Sequence, residues 1–584
     1  MSTSLIDADS VLTIDIGSIT TRVALFDVVD GRYRFLASGS APTTTNAPFN
    51  DISEGLRSAL DRLQTITGRG LIGPDERLII PSAPDGTGVD LVAATISAGE
   101  PLKVVVMGLL DDVSVESARH LAETTYSRVV DTFSLNDRRK TEERLDAILR
   151  IRPELILMAG GTDGGASQSV IKLLEATGLA TYLMPDNRRP EILFIGNQAL
   201  RDEIKATFNK LGPIHFAGNV RPALEFEQLE AAQYQLARIT RQIRSQQIPG
   251  VKELDAWAGG NLLPTQAGFG RIVRFLSKVY GATKGVLGVD VGASATSLAA
   301  AFEGELFSRV FPNLGLGASA RAFLETASIE DITRWLHLTI HPDDVRNYLY
   351  NKSLYPASIP ATPEDLAIEQ AMARQAMQLA LHKTMPSFPS KALLYGEELT
   401  PWFEPILAMG SVLTQAPNLA QTAMMLLDGI QPTGITTLVL DKNHIAPALG
   451  AVAAINPLLV VQVLESNTFL TLGTVISPVG DARPGTPILR IRLAYEGGGE
   501  TTVDIKQGNL EVLQLPLGKV AQLHLQPLHR TDVGMGGPGR GGKLRIVGGM
   551  LGVIVDGRGR PVQLSNDPTR RQEMINKWRW MLSC

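Results

Sequence analysis

The chain carries one cysteine in 584 residues, and it is the last residue, Cys584. That excludes an internal disulfide framework, a cysteine-based metal site and a cysteine nucleophile ahead of the tail. The eight histidines show no metal-ligand spacing, and His341, His382 and His444 stand alone as structural residues. Positive charge is not in excess. With 55 Lys and Arg against 60 Asp and Glu the formal net charge is −5, which argues against a dedicated nucleic-acid binder. The opening MSTSLIDADS has neither a basic segment nor an apolar core, so no secretory signal is read and a cytoplasmic protein is expected. A membrane span is missing too. The one stretch that imitates it, Ile445 to Leu464, is interrupted by Pro447, Asn456, Pro457 and Gln462. It reads as a buried helix running into a strand.

What is present is an ordinary globular composition, 44 % hydrophobic and 20 % charged, over a length that suits three or four domains. One element is written twice, about 275 residues apart. The first copy, VLTIDIGSITTRVALFDV, places Asp15, Gly17, Ser18, Thr20 and Thr21 at its bend; the second, GVLGVDVGASATSLAAAF, places Asp290, Gly292, Ser294 and Thr296 in matching positions. Each is an apolar strand ending in Asp-x-Gly, then small and hydroxyl residues, then a second strand. Such a turn lets backbone N–H groups and hydroxyls approach a phosphate closely. The leading aspartates suit a Mg²⁺ ion held through water. A single DxGS turn is also what an ordinary hairpin looks like; two copies at a domain-sized interval carry the signal.

Between the loops, from about residue 78 to 220, β-runs (RLIIPSA, KVVVMGLL, RVVDTFS, ELILMAGG, EILFIGN, IHFAGN) alternate with helical patterns, which implies parallel strands joined by crossovers. Residues 222–282 and 317–385 read as mainly helical. From about 466 apolar and polar residues alternate between Gly-rich turns, as in antiparallel β-structure, before a short terminal helix bearing Trp578 and Trp580.

A second Gly-rich block, AGGTDGG, sets Gly160, Gly161, Gly164 and Gly165 around Thr162 and Asp163, after a buried strand and before a helix. That position suits an anion or ligand, and equally an Asp-Gly turn that caps the helix. Asp163 is a candidate for orienting water or Mg²⁺. Two other patterns are discounted. GPGRGGKL, Gly537 to Leu544, has Leu544 where a P-loop needs a hydroxyl, and NLGLGAS, with Gly315 and Gly317, lacks dinucleotide spacing.

The paired loops resemble those of the actin, Hsp70 and sugar-kinase superfamily, in which they grip a nucleotide tail from both sides. In that superfamily a Gly-containing turn such as Gly410 and Ser411 of ILAMGSVLT lies under adenine, and a small-residue helix such as that of DKNHIAPALGA, with Asp441, Gly450 and Ala451, follows. With AGGTDGG added, the chain over roughly residues 11–465 is similar to the glutamate mutase accessory (MutL) family, which is unrelated to the mismatch-repair protein. The implied fold is α/β. It comprises duplicated actin-like (ribonuclease H-like) ATPase lobes, an α/β section in the first half and an all-β C-terminal domain. The expected segments are a first lobe at 1–220, a helical connector at 221–284, a second lobe at 285–465 and the β-rich region at 466–584.

The implied cofactors are ATP or ADP and Mg²⁺, with catalytic roles for Asp15, Asp290 and Asp163 and metal roles for Asp15 and Asp290. Phosphate or adenosine contacts fall to Gly17, Ser18, Thr20, Thr21, Gly292, Ser294, Thr296, Gly410 and Ser411. The implied activity is ATP-dependent reactivation of an adenosylcobalamin-dependent mutase, in which nucleotide-driven lobe closure releases damaged cobalamin. A homo-oligomer is compatible with the sequence. A small-molecule kinase and an actin-like assembly protein remain alternatives on the same fold. The chain departs from the family pattern at Ile19 and Arg22 in the first loop, and at Ala293 and Ser297 in the second. Ser297 stands where the family has a carboxylate, so slow hydrolysis is expected.

Overall fold

The computed structural model describes residues 9–208, 212–281 and 283–583. Cys584 and residues 1–8 of the N-terminal stretch read above lie outside them. The chain divides into two compact units. One is built from Ser10–Val23 and Gly39–Gly268, the other from Ala24–Ser38 and the chain from Phe269 onward.

The first unit contributes strands to two sheets. In one, the strand order is Leu263–Pro264, Leu91–Ile96, Val11–Ile16, Thr20–Val29, Arg32–Pro42. The central strand VLTIDI is buried at every position. A strand covered on both faces has no solvent side, which accounts for its lack of polar alternation. It runs parallel to Leu91–Ile96, which runs parallel to Leu263–Pro264. The run RLIIPSA, expected as a strand, supplies only an isolated bridge from Leu78 to Ile72, and Pro81 removes a ladder donor there. LVAATI takes the place in the sheet instead; its alanines carry little strand preference and conceal it in the sequence.

The other sheet is parallel throughout, in the order Ser127–Phe133, Leu102–Met107, Leu155–Met158, Glu191–Phe194, Ile214–Phe216. Successive side chains point to opposite faces and feed two cores. Val105, Met107, Ile156 and Met158 pack under helices Thr141–Ile151, Gln168–Leu183 and Arg201–Phe208. Val104, Val106, Leu155 and Leu157 pack under Glu116–Ala122 and Glu230–Gln247. The strand order reverses between Leu102–Met107 and Leu155–Met158, and AGGTDGG follows the second of these strands, at a topological switch point.

The second unit has an eight-stranded sheet. Its first five strands are Glu305–Phe311, Thr296–Phe302, Gly285–Val291, Phe403–Met409 and Gly434–Leu440. They repeat the order running from Arg32–Pro42 to Leu263–Pro264. In both sheets the strand that enters the loop is parallel to its neighbour on the far side from the hairpin, and that neighbour is parallel to the next. This is the duplicated α/β arrangement expected from the paired loops. The β-rich region from residue 466 divides between two sheets. Leu470–Ser477, Val553–Asp556 and Leu510–Leu513 continue the large sheet, while Glu500–Lys506, Pro487–Tyr495, Val520–Pro527 and Gly542–Val547 form an antiparallel sheet of four. GPGRGGKL runs into the strand Gly542–Val547 and has no helix behind it, as a P-loop requires. In the terminal helix Pro568–Ser583, Trp578 is 3 % exposed and Trp580 is 68 % exposed.

Among the described residues no helix is long and apolar enough to cross a membrane. The stretch Ile445–Leu464 contains two short helices, Ala446–Val452 and Pro457–Leu464, where a helix running into a strand was expected. The break falls at Asn456, whose side chain accepts from the Leu459 N–H at 3.0 Å and caps the second helix. The longest helix of the second unit, Pro363–Thr384, starts at a Thr362–Asp365 capping box with Pro363 in the first turn. It is buried at every position from Ala367 to Met377. Its polar groups are paired, Arg374 with Asp428 at 2.8 Å and Gln370 with Gln421 at 2.7 Å, as burial in low dielectric demands.

Candidate functional site

In the first unit, Val11–Ile16 ends just before Gly17, Ser18 and Ile19 turn the chain into Thr20–Val29. The Gly17 N–H donates to the Thr20 carbonyl at 3.2 Å. A Cβ on Gly17 would lie 2.7 Å from that oxygen, so only glycine closes the turn. A strap just after strand Arg32–Pro42 holds the loop from below. The Thr43 N–H donates to the Ile19 carbonyl at 2.8 Å and the Thr43 hydroxyl to the Gly17 carbonyl at 2.8 Å. Thr21 is fully buried, and its hydroxyl lies 2.9 Å from that of Thr43. Thr21 therefore braces the loop, while Ser18 and Thr20 are partly exposed on it.

The second loop repeats this construction. The Gly292 N–H donates to the Ala295 carbonyl at 2.9 Å, and a Cβ on Gly292 would stand 2.9 Å from that oxygen. Thr296 occupies the position of Thr21, is equally buried, and donates to the Leu314 carbonyl at 2.8 Å. The strap is the segment discounted above, NLGLGAS, after strand Glu305–Phe311. The Leu316 N–H bonds the Gly292 carbonyl at 3.0 Å, the Gly317 N–H bonds the Ala293 carbonyl at 2.7 Å, and the Ser319 hydroxyl bonds the Ser294 carbonyl at 2.8 Å. The glycines of NLGLGAS serve close approach: a Cβ on Gly315 would fall 2.4 Å from the Ser294 carbonyl carbon.

Asp15, next to last in its strand, is 6 % exposed. Its Oδ1 accepts from the Thr95 hydroxyl at 2.7 Å and the Thr265 hydroxyl at 3.0 Å. Burial pushes its carboxyl above the usual range, against the opposing effects of Thr95, the Arg22 charge and Thr265. A cation beside this carboxylate would relieve that cost. Asp290 is partly buried at the end of Gly285–Val291, in register with Met409 on one side and Ser297 on the other. Among the described residues no three metal-ligating side chains converge. Each loop thus carries one carboxylate of its own, Asp15 in the first unit and Asp290 in the second.

Gly410 lies directly behind the second loop. Its φ is +108°, and a Cβ there would sit 2.3 Å from the Val291 carbonyl oxygen. Ser411 is exposed and begins the helix Ser411–Thr414. Asp441 is 1 % exposed, and its Oδ2 accepts from the Ala446 N–H at 2.7 Å ahead of the fully buried helix Ala446–Val452.

In the other Gly-rich block Asp163 is exposed. Its Oδ1 accepts from Asn219 Nδ2 at 2.9 Å and the Gln198 N–H at 3.2 Å. Asn219 also bonds the Gly161 carbonyl at 3.0 Å, and Asn197 Oδ1 accepts from the Gly164 N–H at 3.3 Å. The block is thus tied down by asparagines that follow the next two strands of the sheet, Glu191–Phe194 and Ile214–Phe216. Gly161 and Gly164 take φ of +72° and +74°, a region glycine enters freely.

Sequence reasoning missed the straps at Thr43 and Leu314–Ser319 and the hydroxyls of Thr95 and Thr265. The only advance signal was positional, since each strap directly follows the third strand of its half.

Asp15→Asn retains Oδ1 for both hydroxyls while removing the charge. Because the folded carboxyl titrates above its ordinary 3.8, the stability it contributes is complete below that value. It is lost as the pH rises through the raised one. At neutral pH the variant is therefore expected to melt above the parent when no nucleotide is present. A calorimetric scan giving an equal or lower melting temperature refutes this account of Asp15.

The MutL protein family profile matches residues 11–468. Protein MutL of Clostridium tetanomorphum is 24 % identical over 399 residues, covering 64 % of this chain and 78 % of that protein. Among solved structures, the activator of the 2-hydroxyisocaproyl-CoA dehydratase from Clostridium difficile with bound ADPNP aligns at 9 % identity. The alignment covers 76 % of this chain and 92 % of that one, with a TM-score of 0.27. Diol dehydratase-reactivating factor in nucleotide-free form aligns at 9 % identity over 76 % and 99 %, with a TM-score of 0.30. At such scores these structural likenesses carry no argument about this chain. The family match does, because it spans both loops, the AGGTDGG block and the Gly410 turn: the chain belongs to the MutL protein family.

Proposed function

We propose that this protein is an ATP-dependent accessory protein that reactivates an adenosylcobalamin-dependent mutase. The observation that carries the reading is the repeated loop, with the same glycine closure, the same buried threonine and the same strap in both copies. In this reading the exposed atoms of Ser18, Thr20 and Ser294 and the N–H groups around Gly17 and Gly292 contact phosphate oxygens. Asp15 and Asp290 orient the water shell of Mg²⁺. Thr21 and Thr296 act through the loops they brace. Gly410 and Ser411 border the adenosine, and Asp163 presents a fixed carboxylate on a separate Gly-rich surface. A bound Mg²⁺ would supply charge neutralisation for the phosphates.

A nucleotide shifts a protein only through unequal affinity for its states. The reactivating cycle therefore requires different mutase affinity with ATP and with ADP, as loops that engage a γ-phosphate and release it after hydrolysis can provide. The test is MgATP turnover by the purified protein, with and without a cobalamin-inactivated mutase from the same organism. Turnover stimulated by the inactive mutase and lost in Asp15→Ala is expected. Equal mutase affinity in the ATP, ADP and nucleotide-free states refutes the proposal.

A further inference from the structure

The second unit holds a cavity of about 510 Å³ between the large sheet and the strand Gly542–Val547 of the four-stranded sheet. Its polar wall includes Glu404, Lys284 and Thr437, and its apolar wall Ile435, Phe469, Leu544 and Ile546; Arg545, at the rim, is exposed and pairs with Glu496 at 3.6 Å. Glu404 Oε1 accepts from the Thr437 hydroxyl at 2.7 Å. Lys284 lies over the rings of Trp402, at 4.7 Å from the centroid, and Tyr280, at 5.2 Å, which fixes its ammonium at the mouth of strand Gly285–Val291. Burial pushes the Glu404 carboxyl up, while Thr437 and Lys284 hold it down. Such a carboxylate gains from a cation brought in by a ligand. With Arg545 engaged by Glu496, the wall offers one charge of each sign, Glu404 and Lys284, so the same ligand needs an anionic end to meet Lys284. The remaining surface is apolar and large enough for a small organic molecule.

We propose that this cavity binds a zwitterion with an apolar body, of amino-acid to dipeptide size, its ammonium on Glu404 and its carboxylate on Lys284. The site lies at the entry ends of strands Gly285–Val291 and Phe403–Met409, whose exit ends lead to the second loop and to Gly410. It is thus separate from the phosphate loops.

The experiment is calorimetric titration of the full chain with L-leucyl-L-leucine. N-acetyl-leucyl-leucine, which lacks the ammonium, and leucyl-leucinamide, which lacks the carboxylate, serve as matched probes. No nucleotide is added, so the outcome is independent of the proposed ATP function. Binding of the free dipeptide is expected, with each capped probe weaker by at least about tenfold, the usual worth of a charged hydrogen bond. Glu404→Gln should abolish the discrimination against the acetylated probe, and Lys284→Met the discrimination against the amide. Each variant leaves the other end of the site intact and acts as a folding control for its counterpart. No heat with leucyl-leucine or leucine, or equal affinity for the capped probes, overturns the proposal.

Discussion

Asp556→Asn is expected to destabilise the protein by about 3–5 kcal/mol, the cost of removing one partner from a buried ion pair. Asp556 is fully buried and receives Arg558 Nε at 2.8 Å, Arg558 Nη2 at 2.9 Å and Arg560 Nη2 at 2.8 Å. Arg558 also reaches Asp428 Oδ1 at 2.6 Å, whose other oxygen holds Arg374 at 2.8 Å, and lies 4.9 Å over the Trp578 ring. The cluster joins strand Val553–Asp556, helix Leu419–Gly429, the long buried helix and the terminal helix. An isosteric amide keeps the shape but leaves two guanidinium groups with too little opposing charge in a site shielded from water. Burial by itself would push the Asp556 carboxyl up, yet Arg558 and Arg560 hold it well below the usual 3.8. Its contribution is therefore complete above 3.8 and is lost as the pH falls through the depressed value. Urea unfolding followed by circular dichroism at neutral pH should show the full loss, and parent and variant should converge in strong acid. A loss under about 1 kcal/mol, the scale of an exposed pair, would mean that water reaches the cluster.

Gly315→Ala should weaken MgATP binding by roughly 10- to 100-fold, the loss of one hydrogen bond to a charged group at about 1.5–3 kcal/mol, while leaving the fold intact. The added Cβ would meet the Ser294 carbonyl carbon at 2.4 Å, the Ala293 carbonyl oxygen at 2.5 Å and the Ala295 nitrogen at 2.7 Å. These are backbone atoms of the second loop and cannot swing aside as a side chain can. The variant therefore moves the loop through its backbone and leaves the Ser294 side chain itself unchanged. Gly497→Ala is the matched control, since a Cβ there meets nothing within 4 Å. Titration with MgATP reads the outcome. Parental affinity in Gly315→Ala, with Gly497→Ala also unchanged, would detach the second loop from nucleotide binding.

The sequence by itself determined the elements whose signal is local. The loops were legible because Asp-x-Gly between two apolar strands is a contiguous pattern, and because Asp15, Gly17 and Thr21 recur in register as Asp290, Gly292 and Thr296. The parallel sheet was legible because its strands are short unbroken apolar runs separated by helical periods. Only the tertiary structure decided the rest. Thr43 and Leu314 hold the two loops from a strand away, Thr265 reaches Asp15 across 250 positions, and Arg558, bound to Asp556, reaches Asp428 across 130. None of these residues differs in type from dozens of others in the chain, and their partners are chosen by packing. The same holds for the strands from residue 470 onward. Their alternation marks them as β-structure, but whether a strand joins the large sheet or the small one depends on which neighbour offers an unpaired edge. Backbone hydrogen-bonding groups are alike in every residue except proline, so that choice leaves no mark in the sequence.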